Sequence, residues 1–200
     1  MSRYIWRGID YGQSPTIHPH FTYVYKGLSI GAWGAYSTRG TYAEADLFAI
    51  YAYKFMSVTT NDYFFPFEGK HTDFYFDYNK GTTTHLLEGV LSFDGVPKFP
   101  LKLSVATTFY GNDLKTDGNS NYSTYIEALY PFTCKNSKFD VFAGFTPAKG
   151  LYSTTAGFVN TGIKFYKDIK VNSTFTLPAN MAFIINPQAE KIYLTFGFTF

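Results

Sequence analysis

The chain has 200 residues, a formal net charge of +2 and a charged fraction of 16%, while aromatic residues supply 21%. Charged residues fall below the roughly 25% of ordinary soluble domains, and so many aromatics exclude intrinsic disorder. The near-neutral balance gives no reason to expect a nucleic-acid partner, and the single cysteine, Cys134, excludes an intrachain disulfide framework and a Cys-rich zinc site.

The longest apolar run, Leu47 to Tyr53, is far short of the roughly 20 residues that a spanning helix needs. No secretory leader precedes the first strand pattern, so the sequence reads as a mature exported chain carrying an added or residual Met1. Two architectures fit: a soluble all-β sandwich or barrel, and a transmembrane β-barrel.

Period-two alternation predicts twelve strands, at about 3–10, 15–25, 28–38, 44–55, 57–65, 82–93, 99–111, 121–130, 138–147, 156–167, 169–177 and 190–200. Strand 3–10 places Arg3 and Arg7 on one face. In strand 15–25, His18 and His20 share the face opposite Ile17, Phe21, Tyr23 and Tyr25. Strand 28–38 sets Leu28, Ile30, Ala32 and Tyr36 against Ser29, Gly31, Trp33 and Ser37. Strands 44–55 and 57–65 are less regular, the first apolar on both faces and the second with polar residues on either face.

Strand 99–111 alternates Leu101, Leu103, Val105 and Phe109 with Lys102, Ser104, Ala106 and Thr108. Strand 138–147 opposes Phe139, Val141 and Phe145 to Asp140, Gly144 and Thr146, and strand 156–167 opposes Val159, Ile163 and Phe165 to Asn160, Gly162 and Lys164.

The final strand alternates over its whole length. Ile192, Leu194, Phe196, Phe198 and Phe200 form one face; Tyr193, Thr195, Gly197 and Thr199 form the other. Its small, hydroxyl-bearing polar face suits a wet lumen, and soluble domains usually end in a few frayed polar residues rather than an aromatic. This ending resembles the C-terminal insertion signal of bacterial outer-membrane barrels, which implies that the barrel-assembly machinery reads these five residues. The competing soluble reading makes it the edge strand of a sandwich.

Most predicted strands have the length of a tilted membrane-crossing strand, and the even count suits a bacterial barrel. Predicted connections alternate between short turns (26–27, 56, 94–98, 131–137, 168) and a set containing the longer loops 66–81, 112–120 and 178–189. That sorting predicts periplasmic turns and termini with extracellular loops. Tyr and Phe crowd the strand ends, as in an interfacial girdle contacting outer-membrane lipid. The outer loops carry Glu68, Lys70, His71, Asp73, Asp77, Lys80, Asp113, Lys115 and Asp117, with Phe74, Tyr75, Phe76 and Tyr78 interspersed.

The N-terminal third has a recognisable pattern. Tyr4-Ile5-Trp6-Arg7-Gly8 precedes a Gly-rich strand ending in Trp33-Gly34, and then Glu44-Ala45-Asp46-Leu47-Phe48. Over residues 2–65 this resembles the TorF-like family of outer-membrane porins. The resemblance implies an outer-membrane pore and no particular substrate.

No enzyme signature is present: there is no Walker A sequence and no His-Glu-x-x-His, and Gly27-Leu28-Ser29-Ile30-Gly31 fits Gly-x-Ser-x-Gly in letters only, inside a strand pattern and not at a strand-to-helix elbow. His85 is the one candidate for a lipid enzyme at the membrane boundary. Parity points it outward beside Leu87 and Leu91, near Thr107 and with no evident carboxylate, so it reads as a structural histidine. His18 and His20 have only Arg7 and Ser29 as inward neighbours, and a cation with a hydroxyl makes a poor metal site. No cofactor is expected.

Parity places Arg3, Arg7, Lys54, Lys102 and Lys164 inside together with Asp46, Glu88, Glu127 and Asp140. A charge facing lipid costs about 2–4 kcal/mol for Arg or Lys at the midplane, so inward parity supports the register. Glu88, Lys102, Glu127, Asp140 and Lys164 are expected at a similar height in the periplasmic half, with Glu127 beside Asp140 and the two lysines compensating. They form either a charged constriction or an ion network that fills a narrow barrel. The expectation is a single-domain, all-β, antiparallel up-and-down transmembrane barrel in a Gram-negative outer membrane. It acts as a narrow porin for small polar solutes or as a non-conducting accessory barrel docking on other outer-membrane proteins, with a membrane-embedded lipid enzyme as a third reading.

Overall fold

The computed structural model describes residues 2–66 and 74–200, and all its regular structure is β. The predicted loop charges Glu68, Lys70, His71 and Asp73 lie outside the described residues.

Two short strands, β1 (Tyr4–Trp6) and β2 (Ile9–Tyr11), form a hairpin of their own. Sequence alternation predicts one barrel strand over 3–10, and the structure corrects this. Arg7 and Gly8 adopt φ values of 48° and 80°, which is the paired left-handed geometry of a two-residue hairpin turn. Arg3 pairs with Asp10 across the two arms. As a strand it would carry Arg3 and Arg7 on one face and Asp10 on the other, so this segment has no face suited to lipid. It folds back on itself instead.

The large sheet contains β3 (Thr16–Ile17), β4 (His20–Tyr25), β5 (Leu28–Ser37), β6 (Ala43–Tyr53), β7 (Met56–Phe64), β8 (His85–Phe93), β9 (Lys102–Gly111), β10 (Thr124–Cys134), β11 (Ser137–Thr146), β12 (Gly157–Lys170), β13 (Thr176–Asn186) and β14 (Lys191–Phe198). From β4 to β14 each strand pairs with its sequence neighbour, always antiparallel. β3 and β4 both pair with β5 in one register, Ile17 opposite Tyr36 and His20 opposite Trp33, so the twelve strands occupy eleven rows. His18 and Pro19 interrupt that row because proline has no ladder donor.

The expected even number of rows therefore becomes odd, and the closed barrel is not formed: no ladder joins β14 to β3 or β4. Antiparallel neighbours alternate in direction, so the first and eleventh rows run the same way. At β14, Ser2 donates its N–H to the Phe196 carbonyl (2.7 Å) and accepts the Phe196 N–H at its Oγ (2.9 Å).

A second correction concerns the C-terminal third. Residues 169–177 do not form a strand and 178–189 do not form a long loop; β12 continues to Lys170 and β13 occupies 176–186. Asn172 makes the turn, its Oδ1 accepting the N–H groups of Thr174 and Phe175 at 2.9 and 2.8 Å. Pro178 obscured the strand pattern, but it stands opposite Asp168 near the strand end. The sorting of connections survives: 26–27, 54–55, 94–101, 135–136 and 171–175 lie at one end of the sheet. The opposite end carries 38–42, 65–84, 112–123, 147–156 and 187–190.

The face covered by the hairpin, here the inner face, buries polar groups such as Thr16, Ser37, Glu44, Asp46, Glu88, Thr108, Asn160 and Thr195. The outer face exposes Phe21, Ile30, Leu47, Val58, Val105, Val141, Phe183 and Leu194. In β14 the alternation is complete, with Ile192, Leu194, Phe196 and Phe198 exposed while Tyr193 and Thr195 are buried.

Candidate functional site

The inner face is built around the hairpin. Tyr4 packs against Trp33 and Tyr42, and Trp6 packs against Tyr63 and Tyr152. At the hairpin tip an added Cβ on Gly8 would meet the Val159 carbonyl oxygen at 1.9 Å, and Asn186 donates to the Gly8 carbonyl at 3.1 Å. Only glycine lets the turn approach the wall this closely.

Arg7 makes a two-pronged ion pair with Glu88, at 2.5 and 3.0 Å. Glu88 is fully buried and also accepts from the Tyr63 hydroxyl at 2.8 Å, from the Asn61 amide at 3.3 Å and from the Tyr152 hydroxyl at 3.3 Å. A buried carboxylate stays stable only when its charge and lone pairs are matched, and these donors do so. The Arg7 guanidinium also stands over the Trp6 and Tyr125 rings, 4.5 and 4.7 Å from their centroids.

The expected charge belt is split. Lys102, Glu127, Asp140 and Lys164 share the inner-face parity of their strands, and Asp140 stands directly opposite Lys164. Glu88 is opposite Thr108 whereas Glu127 is opposite Ser104. Four residues of β9 at about 3.3 Å each separate them by about 13 Å, so Glu88 belongs to the hairpin layer. Glu127 lies opposite Gly144 and Asp140 opposite Pro131, so the two carboxylates are not the neighbours expected. Glu127 accepts from the Tyr125 hydroxyl at 2.5 Å, and Asp140 accepts from Tyr166 at 2.9 Å. Lys102 is exposed, and the Lys164 ammonium stands 5.1 Å from the Phe142 ring centroid. Glu127, Asn160 and Lys164 line a cavity of about 270 Å³ below Arg7.

Three further placements differ from expectation. Lys54 occupies the turn after β6 with φ 55° and points along no sheet face. Arg3 and Arg7 reach the inner face from the hairpin and not from the wall. His18 contacts Thr16 Oγ1 at 2.8 Å and the rings of Tyr4 and Trp33, whereas His20 is exposed. Among the described residues no group of three or more His, Cys, Asp or Glu side chains could hold a metal ion.

His85 does have a carboxylate partner. It is completely buried, with Nδ1 2.6 Å from Asp62 Oδ1 and Nε2 2.6 Å from the Tyr75 carbonyl. The carbonyl can only accept, so Nε2 carries a hydrogen and Nδ1 faces the Asp62 carboxyl group. Tyr78 stacks on the ring at 4.1 Å and donates to Asp62 Oδ2 at 2.8 Å. The site ties down the described part of the 65–84 connection through Tyr75 and Tyr78. Sequence reasoning missed Asp62 because the parity of strand 57–65 was ambiguous, and it missed Tyr152 because loop residues carry no periodic signal.

No family model, no curated protein and no solved structure matches this chain.

Proposed function

We propose that the protein is a membrane-inserted β-barrel of a Gram-negative outer membrane, with the inner face as its lumen and the N-terminal hairpin as a plug that narrows a passage for small polar solutes. The observation that carries this reading is the inversion of the usual soluble pattern. Carboxylates and hydroxyls are buried on one face while Phe21, Ile30, Leu47, Val105, Phe183 and Leu194 are exposed across the other. Soluble monomers rarely expose contiguous apolar patches beyond a few hundred Å². The N-terminal resemblance to TorF-like porins, the sorted connections and the strand lengths support the same reading.

In lipid, unpaired backbone groups cost several kcal/mol each, so insertion requires the β14 edge to meet the β3–β4 row. Ser2, already bonded to Phe196, lies at that edge. The insertion signal ending at Phe200 and the barrel-assembly machinery as partner belong to this proposal, as do periplasmic termini.

The hairpin favours a second reading, a non-conducting accessory barrel, because Arg7 and its aromatic neighbours fill the middle of the inner face. Planar-bilayer conductance separates the two. A pore gives discrete steps, and deleting residues 2–11 enlarges them. Silence from both proteins would sink the pore reading and leave the accessory barrel.

A further inference from the structure

Between the hairpin and the wall lies a second, open cavity of about 390 Å³, lined by Tyr4, Trp6, Trp33, Asp46, Phe48 and Tyr63 among others. Asp46 is the centre of its floor. In the ladder it stands directly opposite Trp33 on β5 and directly opposite Tyr63 on β7, so the three side chains share one face as nearest neighbours. The hairpin supplies the other walls. Tyr4 lies 5.4 Å from Trp33 and Trp6 lies 5.6 Å from Tyr63, between ring centroids. Tyr63 is itself held by hydrogen bonds from Asn61 and to Glu88, so its ring orientation is fixed.

Asp46 is 7% exposed, and its Oδ1 has no hydrogen-bond partner. Buried polar atoms are nearly always paired, and each exception calls for an explanation. The other unpartnered buried atoms, Arg3 Nε and Asp10 Oδ1, belong to an existing ion pair. Asp46 has none: the ion pairs of the described residues are Arg3–Asp10, Arg7–Glu88 and His85–Asp62. Glu44, two residues away on the same face of β6, adds a second carboxylate, which accepts from the Tyr42 hydroxyl at 2.7 Å. Arg7 does approach Trp6, but its charge is matched by Glu88.

We propose that this cavity binds a quaternary ammonium group, the cation resting between the Trp33, Tyr4, Trp6 and Tyr63 rings with Asp46 as its counter-ion. Aromatic faces attract a weakly hydrated organic cation through their quadrupole, and desolvation strengthens the attraction. A hard metal ion is disfavoured, since calcium takes six to eight oxygen ligands and this cavity is walled by rings. The volume falls within the range of small-molecule sites, about 300–1,000 Å³. This inference goes beyond the pore reading and does not require the barrel to conduct.

Trp6 and Trp33 are the chain's two tryptophans and both line the cavity, so tryptophan fluorescence reports on its occupation. Protein folded in maltoside micelles is titrated with choline chloride, with its uncharged isostere 3,3-dimethylbutanol, and with phosphatidylcholine added to the micelles. The expected result is a saturable fluorescence change with choline, at least tenfold weaker for the isostere. Asp46→Asn should weaken choline at least tenfold while leaving the response to the isostere unchanged. Tyr4→Leu, which removes a hairpin wall and spares the sheet, should weaken choline too and covers the case in which Asp46→Asn fails to fold. A change with phosphatidylcholine but not choline would place the head group in a lipid, and the ammonium site would stand. No change with either cation overturns the proposal, as do equal affinities for choline and its isostere. Equal choline affinity in folded Asp46→Asn overturns it as well.

Discussion

Arg7 and Glu88, eighty-one positions apart, meet as a two-pronged ion pair that fixes the tip of the N-terminal hairpin to the middle of β8. Glu88 is fully buried, so removing its cation leaves an unmatched charge in a low-dielectric site. Breaking a buried pair from one side typically costs about 3–5 kcal/mol. Arg7→Met is expected to lose that much in urea unfolding of the refolded protein, and Arg7→Met/Glu88→Gln to recover part of it. A double variant as unstable as the single would show that the hairpin's ring packing, and not the ion pair, holds it in place.

Most of the wall was legible because its two faces differ so sharply. Leu103, Val105 and Phe109 against Ser104, Ala106 and Thr108 leave one parity open, and the structure adopts it. The alternation from Ile192 to Phe198 was equally unambiguous. Periodicity failed where side chains of both kinds sit on both faces. Residues 3–10 satisfy a strand template, yet the Arg7–Gly8 turn and the Arg3–Asp10 pair fold them into a hairpin. In residues 167–186, Pro178 and the charges Lys167, Asp168 and Lys170 hid the true turn at Asn172.

The site was less legible than the wall, because it depends on relative height. Parity assigns Glu88 and Glu127 to one face, but only the register separates them by four residues of β9. The Asp62–His85 pair needed correct parity on β7, and Asp46 became a candidate only once the hairpin rings stood over it.

Lys102 tests the split of the charge belt. It is exposed, and no described carboxylate lies within ion-pair distance of it. Exposed charges contribute about 0–1 kcal/mol. Lys102→Met should therefore leave the urea midpoint almost unchanged, and any conducting protein should become more cation-selective. A loss of several kcal/mol would instead restore the single buried network.

His85 holds the described part of the 65–84 connection through Tyr75 and Tyr78, while Asp62 accepts from both the ring and the Tyr78 hydroxyl. Asp62→Ala removes the shared acceptor and leaves a buried donor unsatisfied, at about 1–3 kcal/mol. The connection should then be cut faster by limited proteolysis near Tyr75–Tyr78, with the rest of the sheet protected. Unchanged cleavage kinetics would mean that stacking alone secures it.

Orientation can be read with the native cysteine. Cys134 is exposed beside the short 135–136 turn, at the end predicted to be periplasmic. A membrane-impermeant maleimide should label it only after the outer membrane is permeabilised. In a Cys134→Ser background, Thr116→Cys on the exposed 112–123 connection should react on intact cells. The reverse pattern would invert the topology and remove the argument from connection length.

Phe200 separates assembly from stability. It is 98% exposed, so its ring packs against nothing that folding buries. The nearest ladder contact belongs to its neighbour, the Thr199 N–H donating to the Pro178 carbonyl at 3.1 Å. Deleting Phe200 should change the stability of refolded protein by no more than about 0.5 kcal/mol, as for other surface positions. If the assembly machinery reads the terminal aromatic with Ile192, Leu194, Phe196 and Phe198, the same deletion should still reduce folded, heat-modifiable protein in outer-membrane fractions several-fold. Equal loss in refolding and in cells would mark Phe200 as structural after all. Normal yield in cells would show that the alternation of β14 serves the lipid-facing wall and carries no signal.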